Sequence, residues 1–377
     1  MPQIILDDLV KIYPYAQTGL FASKRKKELL EQQKSAPYTT NEGVVAVQHF
    51  SLTVEQGDFT VLLGPSGCGK TTVLRMIAGL EEPTLGKVLF DGKNMEGVSP
   101  EERNAAMVFQ NYSLYPHLNV YDNIAFPLRN AHVLRSELEE RVASAAELLK
   151  LTGKLKRLPS ELSGGERQRV ALARSLVRKP GIFLMDEPFS NLDAPLRASL
   201  RAAVKEMHRS TGASFVYVTH DRLEALSLAT KLVVIQDGII RQQGRPAALY
   251  NSPADLYTAQ FLALPSLNVF RELKVSGGCV RLFGLQIPVR GAGENAALTA
   301  GVRPSDIILG SGEAEASVKY SEPSGSDFLV RLDYNGSEIL ALQPASSSPA
   351  SYPRGSRVRF GVSPAKVLLF DKDGRAI

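Results

Sequence analysis

Apolar and polar positions alternate over residues 1–13 in the manner of a strand, with Ile4, Leu6, Leu9, Val10 and Ile12 available for burial. A strand pattern resumes at Val44. The intervening stretch, about 15–43, is rich in Lys, Glu, Gln and Ser and reads as a solvated insertion with a short helix over residues 23–31. Further on, continuous apolar runs at 59–63, 182–185, 215–219 and 231–236 predict buried strands, because only a strand covered on both faces stays apolar without alternation. Helical periodicity falls between them, at 72–80, 137–149 and 195–209. Strands and helices in that order predict an α/β fold, a mainly parallel sheet with helices on both faces. After about Asn268 the pattern changes to short β-type runs at 278–283, 316–320, 328–333, 339–342 and 357–362, separated by Gly, Ser and Pro turns. A second, small β-barrel domain is expected there.

The strand at 59–63 leads into Gly64-Pro65-Ser66-Gly67-Cys68-Gly69-Lys70-Thr71, which matches G-x-x-x-x-G-K-[ST] throughout. Glycines let backbone N–H groups turn towards phosphate oxygens, the Lys70 ammonium reaches the β- and γ-phosphates, and the Thr71 hydroxyl suits a Mg²⁺ position. Cys68 reads as a small residue fitted to a tight backbone. The strand at 182–185 then delivers Asp186 and Glu187 at its carboxyl end. There Asp186 is expected to hold Mg²⁺ and Glu187 to act as base towards the attacking water. Nucleotide hydrolysis follows, with kinases, GTPases, helicases and transport ATPases all still open.

Leu162-Ser163-Gly164-Gly165-Glu166-Arg167-Gln168-Arg169 narrows the choice, because it resembles the signature motif of the ABC ATPase family. The resemblance covers residues 1–13 and 44–377 and implies a P-loop ABC ATPase domain, with a helical subdomain, over 1–267. It implies an oligonucleotide/oligosaccharide-binding-like (TOBE-type) regulatory β domain over 268–377. In that family the serine and glycines at 163–165 bind the γ-phosphate of ATP held by the opposite subunit, so a dimer, a homodimer in the simplest case, is implied. The resemblance also makes Thr72 a nucleotide contact and Gln110 a contact to Mg²⁺ that senses membrane subunits. It places Asp193, in Ser190-Asn191-Leu192-Asp193, on a loop crossing the dimer interface, His220 near the γ-phosphate, and Tyr13 stacked on adenine. Glu166 stands where the family commonly carries glutamine, and Arg222 where glutamine is frequent in the sugar-importer branch.

The segments 250–255, 264–268 and Gly301-Val302-Arg303-Pro304 are similar to those of the ATPase subunits of maltose-type and multiple-sugar importers. That branch implies ATP and Mg²⁺ as cofactors, two transmembrane permease subunits as partners, an extracytoplasmic solute-binding protein as an indirect one, and import of a carbohydrate. Glycerol phosphate, spermidine, iron or another small solute is the alternative, and a soluble ABC ATPase acting in translation or DNA repair is a rival of another class. The C-terminal domain is expected to serve dimer contact and regulation.

Composition adds limits. The 377 residues suit two domains, and two cysteines, Cys68 and Cys279, suit a reducing compartment. The net charge of +5 is spread over the whole chain, without the concentrated basic face of a nucleic-acid footprint. No apolar run reaches membrane-spanning length and the start of the chain lacks an export signal. A peripheral location on the cytoplasmic face of the cell membrane is expected.

Overall fold

The structure, a computed structural model, describes residues 2–15, 43–190, 192–345 and 352–377. The expected helix at 23–31, most of the insertion and Asn191 lie outside the described residues. Two compact units divide the chain between Pro246 and Ala247.

In the first unit the opening strands are β1 (Ile4–Pro14), β2 (Gly43–Val54), β3 (Phe59–Leu63), β4 (Leu85–Phe90) and β5 (Lys93–Asn94). Four of them form an antiparallel sheet in the order β2-β1-β4-β5. β3 instead joins β6 (Ala105–Val108), β7 (Ile182–Asp186), β8 (Ser214–Thr219), β9 (Lys231–Gln236) and β10 (Ile239–Gly244) in a six-stranded sheet ordered β10-β9-β3-β8-β7-β6. All its pairings are parallel except β10 on β9. The continuous apolar runs become its central strands: every residue of β3 and β8 is buried. Phe59, Phe183, Phe215 and Tyr217 interlock behind the sheet, with ring centroids 4.6–6.0 Å apart. Burial of such rings contributes about 1.5–3 kcal/mol each, which fixes the strand ends that carry chemistry.

The helices of this unit are α1 (Lys70–Ala78), α2 (Val120–Asn130), α3 (Arg135–Leu148), α4 (Gly164–Leu176), α5 (Ala194–Thr211) and α6 (Arg222–Leu228). α1 begins two residues before the periodicity suggests because Gly69, at φ 97°, turns the chain straight into it. Its C-terminus is held by the buried Arg103, whose Nη1 donates to the carbonyls of Met76 and Ile77 at 2.9 and 3.0 Å and whose Nη2 donates to Met95 at 2.7 Å. These bonds satisfy carbonyls that a helix end leaves open.

The second unit opens with α7 (Pro246–Asn251), whose first residue closes the first unit, and α8 (Leu256–Leu262). It continues through β11 (Asn268–Lys274), β12 (Cys279–Leu282), β13 (Leu285–Pro288), β14 (Ala297–Val302), β15 (Ile307–Ser324), β16 (Asp327–Tyr334), β17 (Ser337–Pro344), β18 (Arg357–Val362) and β19 (Leu368–Phe370). The sheets β11-β14-β19, β12-β13 and β17-β16-β15-β18 wrap one apolar core in a barrel-like arrangement. β15 is far longer than the run at 316–320 suggests. It bends at a register jump between Leu309 and Ala314, where Gly312 lies so close to Phe360 that a Cβ would stand 2.5 Å from its carbonyl oxygen. Among the described residues no helix is long and apolar enough to cross a membrane.

Candidate functional site

The loop from Gly64 to Gly69 joins β3 to α1 at the carboxyl edge of the parallel sheet, the edge where ligands bind in open α/β folds. Contacts require glycine at 64 and 69, and a left-handed backbone favours it at 67 and 69. A Cβ on Gly64 would lie 2.4 Å from the Ile235 carbonyl oxygen and 2.6 Å from Cys68 Sγ, and one on Gly69 would lie 2.3 Å from the Ala46 carbonyl oxygen. Cys68 is buried, as a small loop residue should be, and burial pushes its thiol pKa up although Lys70 opposes the shift. Ser66 and Gly67 are exposed at the loop tip, beside the exposed Pro65.

Lys70 is 4% exposed and its Nζ donates to the carbonyls of Gly64 and Pro65 at 3.0 and 2.8 Å. A buried ammonium spanning its own loop is poised beside any anion that the loop amides collect. Thr72 follows on α1, half-buried. For Gly69→Ala, the left-handed backbone and the Ala46 contact together predict ATP binding weakened by about tenfold, from strain of about 1–2 kcal/mol. Titration with a fluorescent ATP analogue reads this, and unaltered affinity would contradict the role of the loop.

The Thr71 hydroxyl donates to Asp186 Oδ1 at 2.8 Å, so the second motif meets the first directly. Burial raises the Asp186 pKa, the Thr71 bond opposes it, and the neighbouring Glu187 raises it further. Thr71 and Asp186 fit a hard divalent cation, since a hydroxyl and a partly desolvated carboxylate are the oxygen donors such an ion takes alongside phosphate. Glu187 follows at φ 43°, its N–H donating to the Val218 carbonyl at 3.0 Å. That unusual backbone turns its carboxylate between two side chains: Oε1 lies 3.8 Å from Lys70 Nζ and Oε2 lies 3.1 Å from His220 Nδ1. His220 is half-exposed at the end of β8.

Gln110 reaches the same cluster by another route. Its Nε2 donates to Ser190 Oγ at 3.1 Å, and that hydroxyl donates to the Glu187 carbonyl at 3.1 Å. Thus Lys70, Thr71, Asp186, Glu187, His220, Ser190 and Gln110 form one bonded group.

Five predicted residues stand apart from it: Ser163, Gly164, Gly165, Asp193 and Tyr13. Ser163 caps α4, accepting from the Glu166 N–H at 3.3 Å while its own N–H donates to Glu166 Oε2 at 2.9 Å. Lys154 pairs with Glu166 at 3.1 Å, and these bonds to the Ser163 backbone and to Lys154 hold the Glu166 pKa down. The glycines beside it face α5 and the loop before it: a Cβ on Gly164 would stand 3.2 Å from Leu192, and one on Gly165 would stand 2.4 Å from Leu196. Asp193 caps α5, accepting from Leu196 N–H at 3.0 Å. Tyr13 is 36% exposed at the end of β1, opposite Val44, with Lys11 Nζ 5.2 Å from its ring centre. Ala46, two residues along β2, is the residue whose carbonyl abuts Gly69, which brings this hairpin beside the phosphate loop.

Sequence reasoning overlooked Glu224. It is 3% exposed, and its Oε2 accepts from Tyr217 OH at 2.9 Å and Thr219 Oγ1 at 2.8 Å, directly behind His220. Burial raises its pKa, against the pull of both hydrogen bonds.

A P-loop, an acidic strand end and a histidine at a neighbouring strand end define a nucleotide hydrolase of the parallel-sheet type. Residues 47–190 match the family model described as ABC transporter. The chain is 42% identical over 367 residues to the trehalose/maltose import ATP-binding protein MalK of Thermococcus litoralis, with 89% of this chain and 96% of the relative covered. It is also 42% identical over 349 residues to the alpha-glucoside transport ATP-binding protein AglK of Rhizobium meliloti, at 89% and 96% coverage. The sn-glycerol-3-phosphate import ATP-binding protein UgpC of Vibrio vulnificus is 43% identical over 304 residues, at 79% and 82%. Among solved structures, the dimeric post-hydrolysis state of the ATP-binding cassette MJ0796 bound to ADP and Pi superposes with a TM-score of 0.53 at 26% identity, over 64% of this chain and 98% of that one. The chain belongs to the family of ABC transporter ATP-binding proteins, and it is an ATP hydrolase of that class.

Proposed function

We propose that this chain binds and hydrolyses ATP as the energy-supplying subunit of an importer for a carbohydrate, acting as a dimer on two transmembrane permease subunits at the cytoplasmic face of the membrane. The single observation that carries the hydrolytic part is the bonded group at the sheet edge, in which Glu187 lies between Lys70 and His220 while Asp186 holds Thr71. In this reading the loop amides of Gly64 to Gly69, with Lys70 and Thr72, bind the phosphates, and Tyr13 stacks on adenine. Thr71, Asp186 and Gln110 would hold Mg²⁺, which when bound supplies charge neutralisation at the β- and γ-phosphate oxygens. Glu187 takes the proton of the attacking water, and His220 orients Glu187 through the bond between them.

Ser163, Gly164 and Gly165 complete the site of a second copy, with the Asp193 loop crossing between copies. Support comes from the bonds of Ser163 to Glu166, which lie within its own turn. The likeness to a dimeric cassette supports the same arrangement. Residues 268–377 serve dimer contact and regulation, with 1–267 as the catalytic portion.

Carbohydrate is favoured as the solute because the relatives named for trehalose, maltose and alpha-glucosides match 89% of the chain, against 79% for the one named for glycerol phosphate. The test is to purify the chain with the membrane proteins it carries along, reconstitute them in vesicles with the cognate binding protein, and measure ATPase stimulation by maltose, trehalose, alpha-glucosides and glycerol 3-phosphate. Stimulation by at least one saccharide and none by glycerol 3-phosphate is expected. The reverse pattern removes the carbohydrate reading, and absence of any membrane partner removes the importer itself.

A further inference from the structure

The loop carrying Ser190 to Asp193 and the turn carrying His220 come from different strand ends, yet one side chain binds both. Arg197 sits in the first turn of α5, its backbone N–H donating to the Asp193 carbonyl at 2.9 Å. Side chains of a helix lean towards its N-terminus, so the guanidinium folds back over the loop that precedes it. Its Nε donates to the Leu192 carbonyl at 2.8 Å and its Nη1 donates to Asp221 Oδ2 at 3.2 Å.

Asp221 is occupied on every side. Its Oδ1 caps α6, accepting from Leu223 N–H at 2.8 Å and Glu224 N–H at 3.2 Å. Its own N–H donates to Thr219 Oγ1 at 3.0 Å, and that hydroxyl donates a hydrogen bond to Oε2 of the buried Glu224 at 2.8 Å. His220 therefore lies between two residues whose side chains are tied down on both sides. The opposite end of the same network is the Leu192–Asp193 loop.

We infer that Arg197 is a positioning residue for hydrolysis: it clamps the His220 turn to the Leu192–Asp193 loop, so that the placement of that loop sets where His220 meets Glu187. The inference rests on the reading of Glu187 and His220 as the hydrolytic pair.

Energetics favour a geometric role over a stabilising one. The Arg197 and Asp221 side chains are 34% and 24% exposed, and ion pairs exposed to that degree contribute little to stability. The rigid fork of a guanidinium, however, fixes the separation of two acceptors in a way a single ammonium cannot. A misplacement of about 1 Å at a reacting group can cost on the order of 10²-fold in rate. A small energy thus controls a large rate.

The experiment compares the full-length chain with Arg197→Met, Arg197→Lys, Asp221→Asn and the Met/Asn double variant, with Glu187→Gln as a control. Asparagine keeps the Oδ1 that caps α6, so helix α6 retains its start. In steady-state ATPase assays Arg197→Met and Asp221→Asn should each lower kcat by about tenfold or more, with the KM for ATP changed by no more than about twofold. The double variant should be no slower than the slower single variant, since both remove one clamp. Arg197→Lys should stay slow, because one ammonium cannot span Leu192 and Asp221, and its retained charge and stem guard against misfolding. Wild-type kcat in Arg197→Met, a loss confined to KM, additive losses in the double variant, or full rescue by lysine would each overturn the clamp. If Glu187→Gln itself turns over ATP normally, the failure lies in the hydrolytic pair; if that control is inactive while Arg197→Met is normal, only the clamp falls.

Discussion

ATP turnover by Glu187→Gln is expected to fall by about 10²–10⁴-fold while ATP binding is kept, the loss that follows removal of a general base. Glutamine has the same size and can still meet His220 and Lys70, so the 3.1 Å and 3.8 Å contacts give no reason for the site to collapse. What it cannot do is take a proton. The backbone at φ 43° is held by the strand bond to Val218, and a bulky residue in that region costs about 1–3 kcal/mol, strain that the sheet edge tolerates to aim this one carboxylate. With hydrolysis blocked and binding intact, ATP should accumulate in a closed dimer, visible by gel filtration in the presence of ATP and divalent cation. Single-turnover assays measure the chemical step free of product release. Turnover within a few-fold of wild type would remove Glu187 from the role of base.

Much of this site was legible from the chain because its parts are local. The run Ile182 to Met185 announces a buried strand, and a buried strand must end where its first carboxylates reach solvent, at Asp186 and Glu187. Gly64 and Gly69 are equally plain as fixed positions of the local pattern G-x-x-x-x-G-K-[ST], and the structure adds the reason, a close approach of Ile235 and Ala46 that leaves no space for a side chain. The parts that stayed hidden depend on partners distant in sequence. Glu224 follows the Asp221 cap within the first turn of α6, where an acid normally faces water, and only the placement of Tyr217 and Thr219 turns it into a buried acceptor. Arg197 reads as an ordinary polar residue of an amphipathic helix until the His220 turn arrives beside it. β1 pairs with β4 as well as β2, a choice set by non-local burial. In the second unit, the jump within β15 splits one strand's pattern into pieces too short to read as one.

The second large effect concerns which chain completes which site. If Ser163 acts on ATP held by the other copy, a dimer of one Lys70→Ala chain and one Ser163→Arg chain places both lesions in a single composite site. The second site then keeps its own lysine and its partner's serine. A dimer of one doubly substituted chain with one wild-type chain places one lesion in each site instead. Lys70 is an ammonium bonded across the phosphate loop, so its loss removes the charge on which the β- and γ-phosphates rest. Arginine at 163 costs the α4 cap about 1 kcal/mol and puts a long side chain where the helix start should receive an anion. Differentially tagged chains, purified as mixed dimers, should therefore bind about one ATP tightly per dimer in the first arrangement and none in the second, as counted by equilibrium dialysis against an ATP analogue. The reverse result would mean that Ser163 serves the nucleotide of its own chain. Equal binding in the two arrangements would detach Ser163 from the nucleotide altogether, and α4 would then be a capped structural helix whose Glu166–Lys154 pair does no more than secure its first turn.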